Sequence, residues 1–140
     1  MFYVDTSVIV AYYCPEPLSD KADAFLTSHG QVAVSSLTEV ELFSAVARKV
    51  RQKEIRQADG KMAAGKFIDH LDRSMYRRIP LEAHHYVLAR DWIGLFKASL
   101  RTLDALHLAV AFSEGLIVVT ADQGLVKCAR ELSVKARLLT

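Results

Sequence analysis

Short apolar runs of strand length alternate with helix-patterned segments along this chain, and that order restricts the fold more than any other feature. Phe2–Val4, Val32–Val34 and Leu116–Val119 are continuous apolar runs too short for a helix, and a fourth and fifth strand are expected near Arg77–Pro80 and Ala136–Leu139. Between them, helices are expected over about 6–13, 19–28, 37–53, 58–74, 82–96, 101–113 and 122–132, with Cys14-Pro15, Pro17, Gly30 and Gly115 as stops. No Asn-Gly or Asp-Gly turn joins two strands, so the strands are expected to pair in parallel through helical crossovers. The predicted class is α/β: a single three-layer α/β/α domain over residues 1–140, with a short-stranded, mainly parallel central sheet.

Bulk properties narrow the chemistry. About half of the 140 residues are hydrophobic, enough for a core. No apolar run approaches the ~18 residues that span a bilayer, and no basic stretch leads an apolar one at the N-terminus, so a soluble, cytoplasmic protein without a membrane partner is expected. Cys14 and Cys128 form no CxxC, and His29, His70, His84, His85 and His107 form no zinc pattern; packed thiols and packed or hydrogen-bonded imidazoles are the plainer reading. The net charge of +2 is unevenly spread: residues 1–47 carry −5, 48–78 carry +6 and 79–140 carry +1. A basic stretch suits a polyanion, although it also suits a solvated helix face.

Four carboxylates sit where burial would penalise them. Asp5 directly follows the first strand, and Asp122 follows the run Leu116–Val119 after Thr120 and Ala121. In a parallel sheet both lie at the C-terminal edge, where α/β folds bind ligands. Glu41 stands between Val40 and Leu42 on a helix whose inward stripe is Leu42, Val46 and Val50, and Asp104 opens an almost wholly apolar helix. Each has a plain alternative: Asp5 and Asp122 as helix caps, Glu41 on a solvated face, Asp104 favouring a helix start. Ser36-Leu37-Thr38-Glu39 reads as a capping box, with Ser36 as N-cap and Glu39 as its partner. Met62, Phe67, Ile68 and Leu71 are expected to face inward, and Tyr12, Tyr13, Trp92, Phe96 and Phe112 to serve the core or a subunit contact.

Four short segments, VDTSV, TEVEL, LDALHLAVA and VTADQGL, occur in an order and at spacings that resemble the motifs of PIN-domain nucleases, and most of all the VapC-type toxins of type II toxin–antitoxin pairs. The resemblance spans almost the whole chain. It implies that Asp5, Glu41, Asp104 and Asp122 converge on one acidic site that binds Mg²⁺ or Mn²⁺ and hydrolyses RNA. The family acid in TEVEL precedes the leucine, which selects Glu41 over Glu39. Thr6 and Thr120 match hydroxyl residues that orient carboxylates or bound water. Leu125, where many relatives carry Phe, is a departure that touches packing.

The likeness further implies a homodimer, inhibition by a cognate VapB-type antitoxin, and a tRNA or rRNA substrate. Arg48, Lys49 and Arg101 are the candidate RNA contacts. Other readings stay open: a PIN-type nuclease in RNA processing or acting on DNA outside a toxin pair, or a non-catalytic RNA- or protein-binding module. A phosphatase using Asp5 as nucleophile fits less well, because the Asp-x-Asp it needs is broken by Ser7.

Overall fold

Alternating apolar runs and helices do fold as a parallel sheet between helices. The computed structural model describes residues 1–140, with the order β1 (Phe2–Val4), α1 (Thr6–Tyr13), α2 (Ser19–Ser28), β2 (Val32–Ser35), α3 (Ser36–Arg51), α4 (Gln57–Asp72), β3 (Tyr76–Ile79), α5 (Ala83–Ile93), α6 (Thr102–Ser113), β4 (Ile117–Thr120), α7 (Gln123–Glu131) and β5 (Ala136–Leu138). All five strands are parallel, in the spatial order β3-β2-β1-β4-β5. Tyr3 pairs with Ala33 on one side and Val118 on the other, so β1 is central and fully flanked.

The two-residue period of the strands builds two cores. Val4, Val34 and Val119 point to one face and pack with Val8 and Ile9 of α1, Phe25 of α2, Leu42 and Val46 of α3, and Phe67 and Leu71 of α4. Their neighbours Tyr3, Ala33 and Val118 point to the other face and pack with Leu108 and Val110 of α6 and Leu125 and Ala129 of α7. Helix α5 closes this side by packing Ala89 against Ala105, Leu106 and Ala109 of α6.

This division follows from chain order. From β1 to β2 to β3 the chain steps outward one way and keeps its helices on the first face. From β3 it returns past β1 to β4 and β5 with its helices on the second. Parallel crossovers share one hand, so reversing direction along the sheet moves the helices to the opposite face. The reversal leaves a switch point between β1 and β4, and ligands bind at such points beyond the strand ends. Asp5 and Asp122 follow those two strands.

Three local expectations are corrected. The N-cap of α3 is Ser35, because β2 runs into the helix without a loop, and the Ser35 N–H donates to Thr38 Oγ1 at 3.1 Å. Ser36 Oγ instead accepts the Leu81 N–H at 3.0 Å, and Glu39 takes both arms of Arg78, at 2.8 and 3.2 Å, tying α3 to β3. Helix α5 stops at Ile93 rather than reaching Phe96; Phe96 adopts φ 55°, which ends helical continuation, and is 91% exposed. The other aromatics expected in the core or at a contact do pack: Tyr12 and Tyr13, edge-on to each other at 4.8 Å, lie against the first core, and Trp92, edge-on to Phe112 at 5.6 Å, lies against the second. Met62 is 65% exposed, since the inward stripe of α4 runs Ala63–Phe67–Leu71 at four-residue steps.

Both cysteines are free and buried. No helix is long and apolar enough to cross a membrane.

Candidate active site

Asp5, Glu41, Asp104 and Asp122 line one cleft of ≈ 480 Å³ at the switch point, together with Thr6, Ser7, Glu16, Arg48 and Arg101. Four elements deliver the acids: the β1–α1 junction, one face of α3, the first turn of α6, and the β4–α7 junction. Arg101, Asp104 and Asp122 also line an adjoining cleft of ≈ 460 Å³ whose rim carries Lys97 and Lys127.

Each carboxylate is held by one of its two oxygens. Asp5 Oδ2 accepts from Ser7 Oγ and Thr120 Oγ1, both at 2.8 Å. Glu41 Oε1 accepts from Thr6 Oγ1 at 2.7 Å and from His107 Nε2. Asp104 Oδ2 accepts from Arg101 Nε at 3.1 Å. Asp122 Oδ1 accepts the Gly124 and Leu125 N–H groups at 2.8 and 3.3 Å, capping α7. The second oxygen of every one of the four takes no hydrogen bond from the protein. The side chain of Asp5, at the head of α1, accepts no backbone N–H of that helix, so the plain capping reading describes the Asp122 carboxylate and not that of Asp5.

The electrostatics show what holds each charge. Burial pushes the Asp104 carboxyl up; Arg101 pulls it back, and the charges of Asp5 and Asp122 add to the rise. Burial alone would also raise Glu41, but the His107 bond, the His107 charge and the Thr6 hydroxyl outweigh it and hold Glu41 below the ordinary carboxylate value. For His107 burial favours the neutral ring, and the bond to Glu41 with the charges of Asp5, Glu41 and Asp104 reverses that, raising its pKa.

Thr120 joins two acids: its hydroxyl donates to Asp5 and accepts the Asp122 N–H at 3.1 Å, wholly buried. Thr120→Val keeps the shape and deletes both bonds. It should cost ~1–3 kcal/mol, seen as a lower urea midpoint at unchanged slope.

Of the candidate RNA contacts, Arg48 and Arg101 stand on the cleft. Lys49 does not. It is buried, bonded to Glu16 at 2.8 Å and Glu54 at 3.4 Å, and fastens the loop after α1 to the end of α3. One residue of helical rotation, about 100°, separates its role from that of Arg48. His107, expected as a packed or hydrogen-bonded imidazole, is both, and it lies beneath the acids, 1% exposed. Sequence reasoning passed over Tyr3, Ser7, Ser35 and Glu16. Ser7 had a signal in its adjacency to Asp5, while Tyr3 and Glu16 had none short of the fold.

The donor set suits a hard divalent cation, which takes carboxylate oxygens and water. The acids do not form a ready-made cage, since no three His, Cys, Asp or Glu side chains stand close enough together to hold an ion. The oxygens left free on the four carboxylates are the donors they would offer such an ion.

A sequence model described as the PIN domain matches residues 2–131. No curated protein matches the chain. Among solved structures, FitAcB from Neisseria gonorrhoeae is similar at TM-score 0.69 and 23% identity, covering 97% of this chain and 96% of that one. VapBC2 from Rickettsia felis, bound to a promoter DNA fragment, is similar at TM-score 0.72 and 19% identity, with 100% of each chain covered. VapC20 from Mycobacterium tuberculosis, described as a sarcin–ricin loop-cleaving toxin, is similar at TM-score 0.68 and 18% identity, covering 84% of this chain and 87% of that one. At such identities the likeness is one of fold.

Proposed function

The chain belongs to the PIN-domain family, and from that premise we propose that it is a metal-dependent endoribonuclease, the toxin of a VapBC-type pair held inactive by its antitoxin. One observation carries the reading: four carboxylates from four elements meet at the switch point, each fixed by one oxygen and free at the other. A fold that needed these acids only for capping or packing would have no reason to bring all four to one cleft.

Asp5, Glu41, Asp104 and Asp122 are the residues to hold Mg²⁺ or Mn²⁺. Such an ion lowers the pKa of a bound water and neutralises charge on a phosphodiester. The chain's own groups do the rest. Thr6, Ser7 and Thr120 keep the carboxylates oriented. Arg48 sits on the cleft and offers its guanidinium to the RNA backbone. Arg101 is 79% exposed on its side chain, and surface ion pairs such as its bond to Asp104 are worth only ~0–1 kcal/mol, so it can leave Asp104 for a phosphate.

An RNA substrate is supported by the motif resemblance and by what VapC20 is described as cutting. A covering partner chain, antitoxin or second copy, is supported by the apolar flank of α3 beside Glu41, where Val40 is 70% exposed and Phe43 is also exposed.

The test is cleavage of total tRNA and rRNA by the purified protein with Mg²⁺ or Mn²⁺. Discrete fragments are expected, lost in EDTA and restored by excess metal. Cutting that persists in EDTA overturns the metal role. Protein that binds Mn²⁺ yet cuts no RNA moves the DNA-acting or non-catalytic reading ahead, and a small overlapping antitoxin-like reading frame beside the gene would favour the toxin pair.

A further inference from the structure

Helix α6 buries Ala105, Leu106, Leu108, Ala109, Val110 and Ala111, and among them one polar side chain, His107. A leucine would suit that layer, and a buried imidazole costs free energy unless both nitrogens are partnered. Both are. Nδ1 lies 2.6 Å from Tyr3 Oη, and Nε2 bonds Glu41 Oε1. Nε2 also stands 3.4 Å from Thr6 Oγ1 and 4.0 Å from Asp5 Oδ1.

The network continues. Tyr3 Oη lies 2.8 Å from Ser35 Oγ, and Ser35 is the N-cap of α3, the helix that carries Glu41. The path therefore leaves α3 at its N-cap, crosses β1 at Tyr3 and α6 at His107, and returns to α3 at Glu41. Tyr3 and Ser35 are fully buried. The loop fixes three things at once: the seat of α3 on the sheet, the plane of the imidazole, and which oxygen of Glu41 is taken. Oε1 is occupied by His107 and Thr6, which leaves Oε2 unbonded.

We propose that His107, held by Tyr3 and Ser35, is a positioning residue that locks Glu41 with Oε2 presented to a divalent cation. The inference rests on the metal-dependent reading above and adds a residue outside the four acids to it. Hydrogen-bond partners that orient metal-binding side chains typically change affinity ~10–100-fold when removed.

The test is Mn²⁺ binding to the purified chain by calorimetry, with folding checked by circular dichroism, for wild type, His107→Gln, His107→Leu and Tyr3→Phe. The glutamine amide can donate to Glu41 as Nε2 does; leucine fills the space without a donor. The expected result is a ~10–100-fold loss of Mn²⁺ affinity in His107→Leu, substantial recovery in His107→Gln, and an intermediate loss in Tyr3→Phe, which frees the ring from its anchor. A purely structural histidine predicts instead that affinity is the same in every variant that folds, and that result overturns the proposal. Should His107→Leu fail to fold, Tyr3→Phe with wild-type affinity overturns it as well. Wild-type protein that binds no Mn²⁺ overturns the metal reading itself, so the two failures are separable.

Discussion

Asp5→Asn is expected to lower RNA cleavage by more than ~100-fold, beyond the range seen when only a supporting bond to a metal-binding group is lost, while leaving the fold as stable as wild type or slightly more so. The substitution preserves shape. The amide oxygen can still accept from Ser7 and Thr120, which now hold Oδ2 at 2.8 Å. It removes the charge and turns the free oxygen into a donor, so nothing is left there for a cation. The same change relieves the crowding of acids: the Asp5 charge is one of the causes that raise Asp104, and like charges in one pocket favour the protonated or disrupted state. Activity and stability should thus move in opposite directions, as at other sites built for function rather than for the fold. The measurement is cleavage beside a thermal melt. Wild-type cleavage in the variant would assign the activity to a contaminant or to another site. Loss of both activity and melting temperature would make Asp5 a structural group.

How much of this was legible depends on the range of the interaction. The α/β class, the parallel sheet and the exits of Asp5 and Asp122 follow from runs of three or four apolar residues and from the missing hairpin turns, all local signals. The cap of α3 was also local yet misread, because Ser35-Ser36-Leu37-Thr38-Glu39 contains two overlapping boxes, Ser35 with Thr38 and Ser36 with Glu39. What selects the first lies elsewhere: Arg78 of β3 takes Glu39, and the Leu81 N–H takes Ser36. Lys49 and Arg48 differ by one step of the helix, and the partners that hold Lys49 inward, Glu16 and Glu54, are placed only by the fold. The Tyr3–His107 bond joins residues 104 apart in sequence. Read alone, a tyrosine in an apolar strand and a histidine in an apolar helix are both ordinary core residues.

The largest loss of stability should come from Phe67→Ala, at ~3–5 kcal/mol, lowering the melting temperature by roughly 10–20 °C. Phe67 is fully buried at the centre of the face formed by α1 to α4. Its ring meets Tyr13 edge-on at 5.5 Å and Tyr76 at 5.7 Å, so truncation removes a large apolar area, leaves a cavity and strips two aromatic contacts together. Total stabilities of domains run to ~5–15 kcal/mol, so the variant should fold in the cold and unfold with modest warming. Phe67 is absent from the acid cleft, and the sheet lies between its core and the one beneath α6. Below its melting transition the variant should therefore bind Mn²⁺ as wild type does. That contrast tests the division of labour in the fold: the core beneath α1 to α4 supplies stability, and the sheet's C-terminal edge, with the cleft-facing sides of α3 and α6, carries the chemistry. Lost Mn²⁺ binding in Phe67→Ala that is still folded by circular dichroism would show instead that the seat of α3, and with it Glu41, depends on this core.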